Sequence, residues 1–223
     1  MILALHTATP EGCVALVEQG ELLAQERFVA KGGHLEIIPG MVQRLLASTG
    51  VQPQQVRRLV VTGGPGSFAG VRIAMGFAKG WHIAHGTALV CCSTTQAIAV
   101  SVAPSEQPLL VVMDARRGEL FVQPFAGDGT PQQPPQKQTP EEAVALVQTD
   151  MRLCGSGVAL LSPLLTERNI GEVLPGLVEP LALARLGARL AVNEDALLEP
   201  LYLRRSEAEE NLLQRQAAQH DAH

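Results

Sequence analysis

The sequence predicts an α/β protein built from two lobes of duplicated topology. After Pro53, short apolar segments with strand character alternate with longer helical segments. Two stretches share one plan, a strand, a polar residue, a tight turn and a second strand: "MILALHTATPEGCVALV" at the start and "LLVVMDARRGELFVQPF" from Leu109. With 223 residues, 46% of them hydrophobic, the chain can bury a substantial core.

The first half opens with an antiparallel meander. "MILAL" is a strand, a turn follows at residues 10–12, and two further strands join at Gln19 and Gly20. The next segment, "GGHLEIIPGMVQRLLASTG", has apolar residues at helical intervals and ends on Gly50, which predicts a helix. Pro39 lies about one turn inside this segment, so a kink or a late start is expected there.

Strand and helix alternate in the rest of the first half. "VRRLVVTGG" and "TALVCCS" are strands, and "SFAGVRIAMGFAKGWHIAHG" between them is a helix with Ser67 as its N-cap. A short helix, "TTQAIAVSVA", precedes a proline-bounded loop at residues 104–108. This loop predicts a first lobe of residues 1–103 and a second of residues 104–223.

The second half begins with two strands around a turn at residues 116–118, which puts Asp114 in the position that His6 has in the first half. "GDGTPQQPPQKQTP" is rich in proline and glutamine and is expected to be a solvated loop. "EEAVALVQ" and "EPLALARLGARLAV" are expected to be helices, and the charged tail after Tyr202 to be flexible.

Composition excludes several classes of function. The net charge is −5 and no basic run could follow a nucleic-acid backbone unaided. The four cysteines have no CxxC spacing and are expected to be core thiols, while the six histidines form no metal-binding pattern and are expected at the surface. Neither a signal peptide nor an apolar run long enough for a membrane span is present in the sequence, which predicts a cytoplasmic protein.

The stretch "VVTGGPGSFAGVRIAMGFAKG" carries the strongest local pattern. Gly64, Gly66 and Gly70 are spaced G-x-G-x-x-x-G, which matches neither the dinucleotide fingerprint nor the P-loop. The glycines allow a tight turn that exposes N–H groups at a helix N-terminus, where an anion would be favoured. Two interpretations stay open: an anion site, or glycines that only build the turn. Ser67 is interpreted as a helix cap rather than as a nucleophile.

The helix that follows this turn carries Gly70, Ala74 and Ala78 on one stripe, and its apolar residues extend far around it. Such a helix is expected to be buried on two sides. One side would face its own sheet, and the other would face either the same domain or a closely approaching partner helix. Two interpretations also stay open for Asp114, which lies at a strand end: a catalytic residue, or an aspartate that stabilises the tight turn after it.

Six stretches together resemble one known family: "ILALHTAT", "HLEIIPGMVQRLL", "VVTGGPGSFAGVRIAMGFAKG", "CCSTTQAIA", "VVMDARRGELFV" and "PLYLRR". They are similar to the bacterial tRNA threonylcarbamoyladenosine biosynthesis subunit family TsaB, also called YeaZ, and they span nearly the whole chain in the family's order. The resemblance implies the actin-like ATPase fold, with two ribonuclease-H-like lobes.

The resemblance also implies a function. TsaB proteins are non-catalytic paralogues of the transferase TsaD, which modifies the adenosine next to the anticodon in tRNAs that read ANN codons. The expected partners are TsaD, as a heterodimer, and the ATPase TsaE, with tRNA contacted mainly through the complex. Isolated chains are expected to be able to form a homodimer. The chain alone is expected to bind no cofactor or metal, and ATP, ADP and metal are expected in the partner subunits.

In the transferase, a His-x-x-x-His pair binds the metal, and the matching positions here carry Thr94 and Ile98. His6 stands where similar proteins usually carry an aspartate, and a neutral imidazole brings no anionic charge to Mg²⁺. We therefore interpret the nucleotide loops as degenerate, and these loops comprise His6, Gly64, Gly66, Ser67 and Asp114. No catalytic residue is assigned.

The resemblance further implies a partner interface on the helices that follow Gly33 and Ser67. Its expected residues are His34, Ile38, Val42, Leu45, Gly70, Ala74 and Ala78. The main alternative function is an active ATPase or phosphotransferase that uses Asp114 and the glycine-rich turn. A peptidase ranks third, because the sequence presents no pairing of a nucleophile with a base.

Overall fold

The chain folds into two lobes, each built on a mixed five-stranded sheet. The structure, a computed structural model, describes residues 1–29, 37–166, 168–193 and 198–204. His34, one of the expected interface residues, and the tail after residue 204 lie outside the described residues.

The first sheet has the order β3-β2-β1-β4-β5. β1, β2 and β3 form the predicted antiparallel meander, and β4 and β5 run parallel to β1. The β2–β3 turn has positive φ at Gln19 (51°) and Gly20 (87°), as a type I′ hairpin requires. The strands are β1 (Ile2–His6), β2 (Glu11–Glu18), β3 (Glu21–Val29), β4 (Arg58–Thr62) and β5 (Ala88–Cys92).

The second sheet has the order β10-β9-β6-β7-β8, which from its other edge reads β8-β7-β6-β9-β10. Position for position this repeats the first sheet, with the same antiparallel and parallel pairings. The predicted α/β fold with two lobes of duplicated topology is therefore confirmed. The strands are β6 (Leu109–Arg116), β7 (Glu119–Phe125), β8 (Gln136–Gln138), β9 (Arg152–Cys154) and β10 (Val173–Leu174).

Helices cover both faces of the first sheet. α1 and α2 share one hydrophobic cluster with it, and α3 and α6 belong to the cluster on its other face, between the lobes. α6 follows the second sheet in the chain but packs against β1, β2 and β4 of the first. The described helices are α1 (Ile37–Thr49), α2 (Phe68–His85), α3 (Thr94–Val102), α4 (Pro140–Val144), α5 (Val158–Leu161) and α6 (Pro180–Arg189).

This double cover explains the continuous apolar strands of the first lobe. In β1, Leu3 and Leu5 contribute to the cluster under α1 and α2, while Ala4 between them contributes to the opposite cluster. All three are fully buried. A strand buried on both faces reads as an unbroken apolar run rather than as an alternation.

The second lobe departs from the sequence prediction in several places. The stretch expected to be only a solvated loop contains β8, which pairs with β7. β9, α5 and β10 were not predicted, since each is only two to four residues long. The division at residues 103 and 104 stays a prediction; α6, which follows it in the chain, packs on the first sheet.

All four cysteines are predicted to be core thiols, and three of them are buried in the core. Cys13, Cys92 and Cys154 are buried and unpaired, and Cys91 is partly buried. Burial raises the pKa of Cys13 and of Cys154 to about 12, which suppresses thiolate formation.

Candidate functional site: the cleft between the lobes

A cleft of about 760 Å³ separates the two lobes. The first lobe contributes the turn after β1 and the glycine-rich turn before α2, and the second contributes the end of β6 and the turn before α5. Three residues of the loops interpreted as degenerate line it, Gly66 and Ser67 from one side and Asp114 from the other. The structure thus brings together loops that are far apart in sequence.

The glycine-rich turn is tightly packed. Gly66 has φ of +152°, and a Cβ on it would overlap the carbonyl oxygen of Ala8. A Cβ on Gly70, one turn into α2, would overlap the carbonyl oxygen of Thr7. The N–H of Ser67 donates to the carbonyl of Ala8 at 2.7 Å. Packing against the end of β1 is therefore sufficient to require these glycines.

Ser67 caps α2, as predicted. Its Oγ accepts a hydrogen bond from the N–H of Gly70 at 3.2 Å, which satisfies one of the unpaired donors of the first turn. At the other end, Gly86 has φ of 66° and its N–H donates to His82, so the helix ends on a left-handed glycine.

His6, at the end of β1, is only 1% exposed, so the expectation that the histidines are surface residues is wrong here. Its Nε2 lies 2.7 Å from the hydroxyl of Thr9, whose proton is donated to the carbonyl of Glu11. Nε2 must then carry the proton, and Nδ1 accepts from the hydroxyl of Thr62 at 2.8 Å. Both nitrogens are therefore used in the neutral form.

The electrostatics of His6 agree with this assignment. Burial, and secondarily the positive charge of Arg27, lower the pKa of His6 from 6.5 to about 3. At neutral pH the residue is an uncharged imidazole with no lone pair directed into the cleft.

Asp114, the second-lobe counterpart of His6, is less buried, and its side chain is 33% exposed. Its Oδ1 accepts from the N–H of Arg116 at 2.7 Å, and its own N–H donates to Ser156 Oγ at 3.1 Å. Arg116 and Arg117 both have positive φ, 69° and 56°, values that are uncommon for residues with side chains. Asp114 therefore stabilises a strained hairpin turn at the edge of the cleft.

The turn before α5 repeats the glycine-rich turn, and sequence analysis missed it. Gly155 has φ of +122°, and a Cβ on it would overlap the carbonyl oxygen of Val112 in β6. Gly66 likewise meets a carbonyl oxygen, that of Ala8, although Ala8 lies two residues beyond His6 whereas Val112 lies two residues before Asp114. "CGSGV", residues 154–158, is thus the counterpart of "GGPGSF", a signal that an alignment of the two halves could have found.

A further cleft wall that sequence analysis missed is formed by residues 198–204, which we call the C-terminal strap. Residues 201–204 of the strap line the cleft. The Tyr202 ring stacks on that of Phe68 with centroids 4.5 Å apart, and its hydroxyl accepts from Arg72 Nε at 3.0 Å. Arg204 donates to the carbonyl of Ala115 at 2.9 Å.

The residues expected at a partner interface lie inside the chain. All six that are described are buried and belong to or pack with the core of the first lobe: Ile38, Val42, Leu45, Gly70, Ala74 and Ala78. Side chains this deeply buried offer a partner of the folded chain almost no accessible area, and their assignment to a partner interface stays a prediction. The stripe of small residues on α2 instead allows close packing of α2 against its own lobe.

Thr94 and Ile98 lie one turn apart on α3. Both are buried, and Ile98 lines the cleft. The hydroxyl of Thr94 has no hydrogen-bond partner among the described residues, while its N–H donates to the carbonyl of Gly64 at 2.7 Å. Among the same described residues, no group of three or more His, Cys, Asp or Glu side chains could hold a metal ion.

Two lobes of identical strand order that face each other across a cleft define a protein of the actin-like ATPase fold. Comparison with known proteins specifies the family. The family model described as "TsaD: tRNA N6-adenosine threonylcarbamoyltransferase" matches residues 28–161, which is more than half of the chain. The chain therefore belongs to this family, and its relatives place it with the TsaB (YeaZ) proteins.

Three of these relatives illustrate the similarity. The chain is 29% identical to the tRNA threonylcarbamoyladenosine biosynthesis protein TsaB of Haemophilus influenzae over 221 residues, covering 91% of the chain and 93% of that protein. It is 33% identical to TsaB of Escherichia coli over 122 residues, covering 54% and 52% respectively. The structure of YeaZ from Pseudomonas aeruginosa superposes with a TM-score of 0.79 at 25% identity, covering 91% and 99%.

Proposed function

We propose that this chain is a non-catalytic scaffold subunit in the formation of N6-threonylcarbamoyladenosine in ANN-decoding tRNAs, and that it binds TsaD and supports docking of TsaE. Similarity over 91% of the chain to a protein named for this biosynthesis supports the assignment. In this proposal ATP, ADP and metal bind to the partner subunits, tRNA is contacted mainly through the complex, and the assembly acts in the cytoplasm. None of the described helices is long and apolar enough to cross a bilayer.

The observation that carries the non-catalytic assignment is the state of His6. The resemblance places a carboxylate at this position in related ATPases, where it acts near the metal and the water. Here a neutral imidazole donates to Thr9 and accepts from Thr62, so neither nitrogen is available to a ligand in the cleft. Mg²⁺ prefers oxygen ligands, and an uncharged, fully bonded imidazole offers it none.

Partner binding is proposed on the outward faces of α1 and α2, which cover the same side of the first sheet. Ile73, Phe77 and Trp81 recur every four residues along α2 and are partly buried against the core. Trp81 stacks obliquely between Phe77 and His85, at centroid distances of 5.7 and 4.6 Å. Aromatic residues at the edge of a core are typical anchors of protein interfaces.

Two exposed glycines lie on α2 beside these anchors. Gly76 and Gly80 are surface residues, and a Cβ on either would meet no atom within 4 Å. Glycines in the interior of a helix lower its stability, and their packing inside this chain does not require them. They do allow another backbone to approach closely, which supports this face of α2 as the docking surface.

The test is a bulky charge at one of these glycines. Gly76→Arg points into solvent, so the free chain should fold normally, but the side chain should keep a partner helix away from α2. Ala159→Arg, at an exposed position in α5 of the second lobe, is the matched control. We expect Gly76→Arg to weaken the Kd for purified TsaD by about thirtyfold or more in calorimetry, and the control to leave it unchanged.

Circular dichroism and thermal unfolding should show that both variants are folded. If folded Gly76→Arg binds TsaD as tightly as the parent chain does, α2 is not the docking surface. Isolated chains are expected to be able to form a homodimer through the same face, because paralogous surfaces pair with similar geometry. Light scattering of Gly76→Arg should then show a shift toward monomer relative to the control.

The alternative function is that of an active ATPase or phosphotransferase. Two features of the cleft favour this alternative. Its volume of about 760 Å³ is sufficient for a small ligand, and Ser67 and Asp114 line it. Phosphate release by the purified chain separates this alternative from the scaffold function.

A further inference from the structure

We propose that the C-terminal strap ties the two lobes together across the cleft and thereby sets how far the cleft opens. Residues 198–204 contact the first lobe through main-chain and ring contacts and the second lobe through an arginine. The inference does not depend on the proposed function, because it concerns only contacts within this chain.

The first anchor is the main chain of the strap. The N–H of Leu201 donates to the carbonyl of Gly63 at 2.7 Å. The carbonyl oxygen of Leu201 in turn lies where a side chain on Gly64 would project, 2.7 Å from an ideal Cβ, and Gly64 has φ of +104°. The glycine-rich turn is therefore shaped to receive the strap as well as to start α2.

The second anchor is Tyr202, which joins the strap to the first two turns of α2. Its ring stacks on Phe68, and the guanidinium of Arg72 lies 3.8 Å from the Phe68 centroid and donates to the Tyr202 hydroxyl. Tyr202 is nevertheless 40% exposed. This anchor is therefore a ring that is already partly in contact with solvent, not a residue of the core.

The third anchor is on the other lobe. Arg204 donates to the carbonyl of Ala115 in β6, immediately before the strained turn at residues 116–118. Between the two ends, Leu203 packs against the hydrophobic cluster to which both sheets contribute. The strap thus spans the cleft from α2 to the β6–β7 turn.

These contacts make the strap a releasable link. Leu198 is buried in the core of the first lobe, but residues 201–204 are held by one main-chain bond to Gly63, one ring stack, the packing of Leu203 and one arginine, and Tyr202 is partly exposed. Local openings of this kind occur in segments with few buried apolar contacts. Release of either end should therefore loosen both lobes at the cleft, including the lobe that the altered residue does not touch.

Hydrogen–deuterium exchange of the full chain tests this coupling. Tyr202→Ala breaks the anchor on α2 and Arg204→Ala breaks the anchor on β6, while Ile83→Ala, at a position in α2 that is 83% exposed, is the control. We expect each strap variant to speed exchange by about fivefold or more both at residues 64–70 and at residues 111–118. The control should leave both segments unchanged.

The double variant Tyr202→Ala/Arg204→Ala sharpens the test. If the strap acts as one unit, either single change already releases it, and the double variant exchanges at the same rate as the singles. If each substitution instead speeds exchange only at its own anchor, and the double variant shows the sum of two local effects, the strap does not couple the lobes and the inference is wrong.

Discussion

The two lobes share one topology but differ in the lengths of the helices and strands that build it. Both sheets have the same strand order. In the first lobe the glycine-rich turn after β4 packs against the chain just beyond β1, and in the second the turn after β9 packs against β6. In the first lobe that turn opens into α2, of 18 residues, whereas in the second it opens into α5, of four. The strands β9 and β10 are likewise only three and two residues long.

This difference indicates which features the fold requires and which it leaves free. The strand order and the turn glycines recur in both lobes, because the backbone itself passes close at these points. Helix length and side-chain chemistry differ, as do the buried, neutral His6 and the half-buried Asp114 that occupy equivalent places. We infer that the first lobe, with its long helix face, is the lobe that meets partners.

The largest expected effect concerns α2 itself. Ala74→Glu places a charge in a fully buried site in the core of the first lobe, and should lower the free energy of unfolding by about 4 kcal/mol or more. Ala159→Glu, on the exposed side of α5, should change it by less than about 0.5 kcal/mol. Urea unfolding measures both. Equal stability of the two variants would contradict the assignment of Ala74 to the core.

Substitution of a turn glycine should lower the stability of the chain by a similar amount in either lobe. Gly66→Ala and Gly155→Ala both force a side chain into positive φ and against a carbonyl oxygen, so each should cost about 2 to 3 kcal/mol. Gly76→Ala, in open space on α2, should instead stabilise the chain by about 0.5 to 1 kcal/mol. A large cost in only one lobe, by thermal or urea unfolding, would show that the turns are not equivalent.

His6 should make the free energy of unfolding depend on pH. Because its folded pKa is about 3 and its unfolded value 6.5, the unfolded chain binds a proton in this window that the folded chain does not. Stability should therefore fall with decreasing pH between these values, by up to about 1.4 kcal/mol per unit.

His6→Gln keeps a neutral polar side chain that does not titrate, so it should remove this contribution. The measurement is urea unfolding of both chains between pH 6 and pH 4, where the parent should lose stability more steeply than the variant. Parallel pH profiles would contradict the buried, neutral state of His6.

The smallest effect is expected at the cap of α2. Ser67→Ala removes the acceptor for the N–H of Gly70 and should cost about 1 kcal/mol, whereas Ser67→Gly should cost only a few tenths. Binding of TsaD, measured by calorimetry, should be unchanged in both. A loss of binding without a loss of stability would instead give Ser67 a role in the interface.

The sequence was sufficient for much of the first lobe. Long apolar runs such as "MILAL" and the Ser67 cap are local signals, and local signals correctly predicted β1, β4 and α2. The three residues of β9 are too few for periodicity to emerge, and they form a strand only because β6 and β10 flank them. Similarly, the partners of His6 are Thr9 and Thr62, and the contact with Thr62 depends on the sheet being assembled.

The residues expected at a partner interface are buried in the first lobe for a different physical reason. A stripe of small residues such as Gly70, Ala74 and Ala78 does predict close approach, and close approach is what the structure has. The pattern does not specify whether the approaching element is the chain's own lobe or another protein. Only the three-dimensional packing distinguishes the two, and it leaves Gly76 and Gly80 facing outward.

The most direct test of the account is steady-state phosphate release by the purified chain with ATP and Mg²⁺. A neutral, fully bonded His6 and the absence of imidazole at Thr94 and Ile98 predict no release above the protein-free control. His6→Asp should not create activity, since one carboxylate does not rebuild the site. Turnover by the parent chain at about 1 per second or faster, an ordinary enzymatic rate, would contradict the scaffold function and favour an active ATPase.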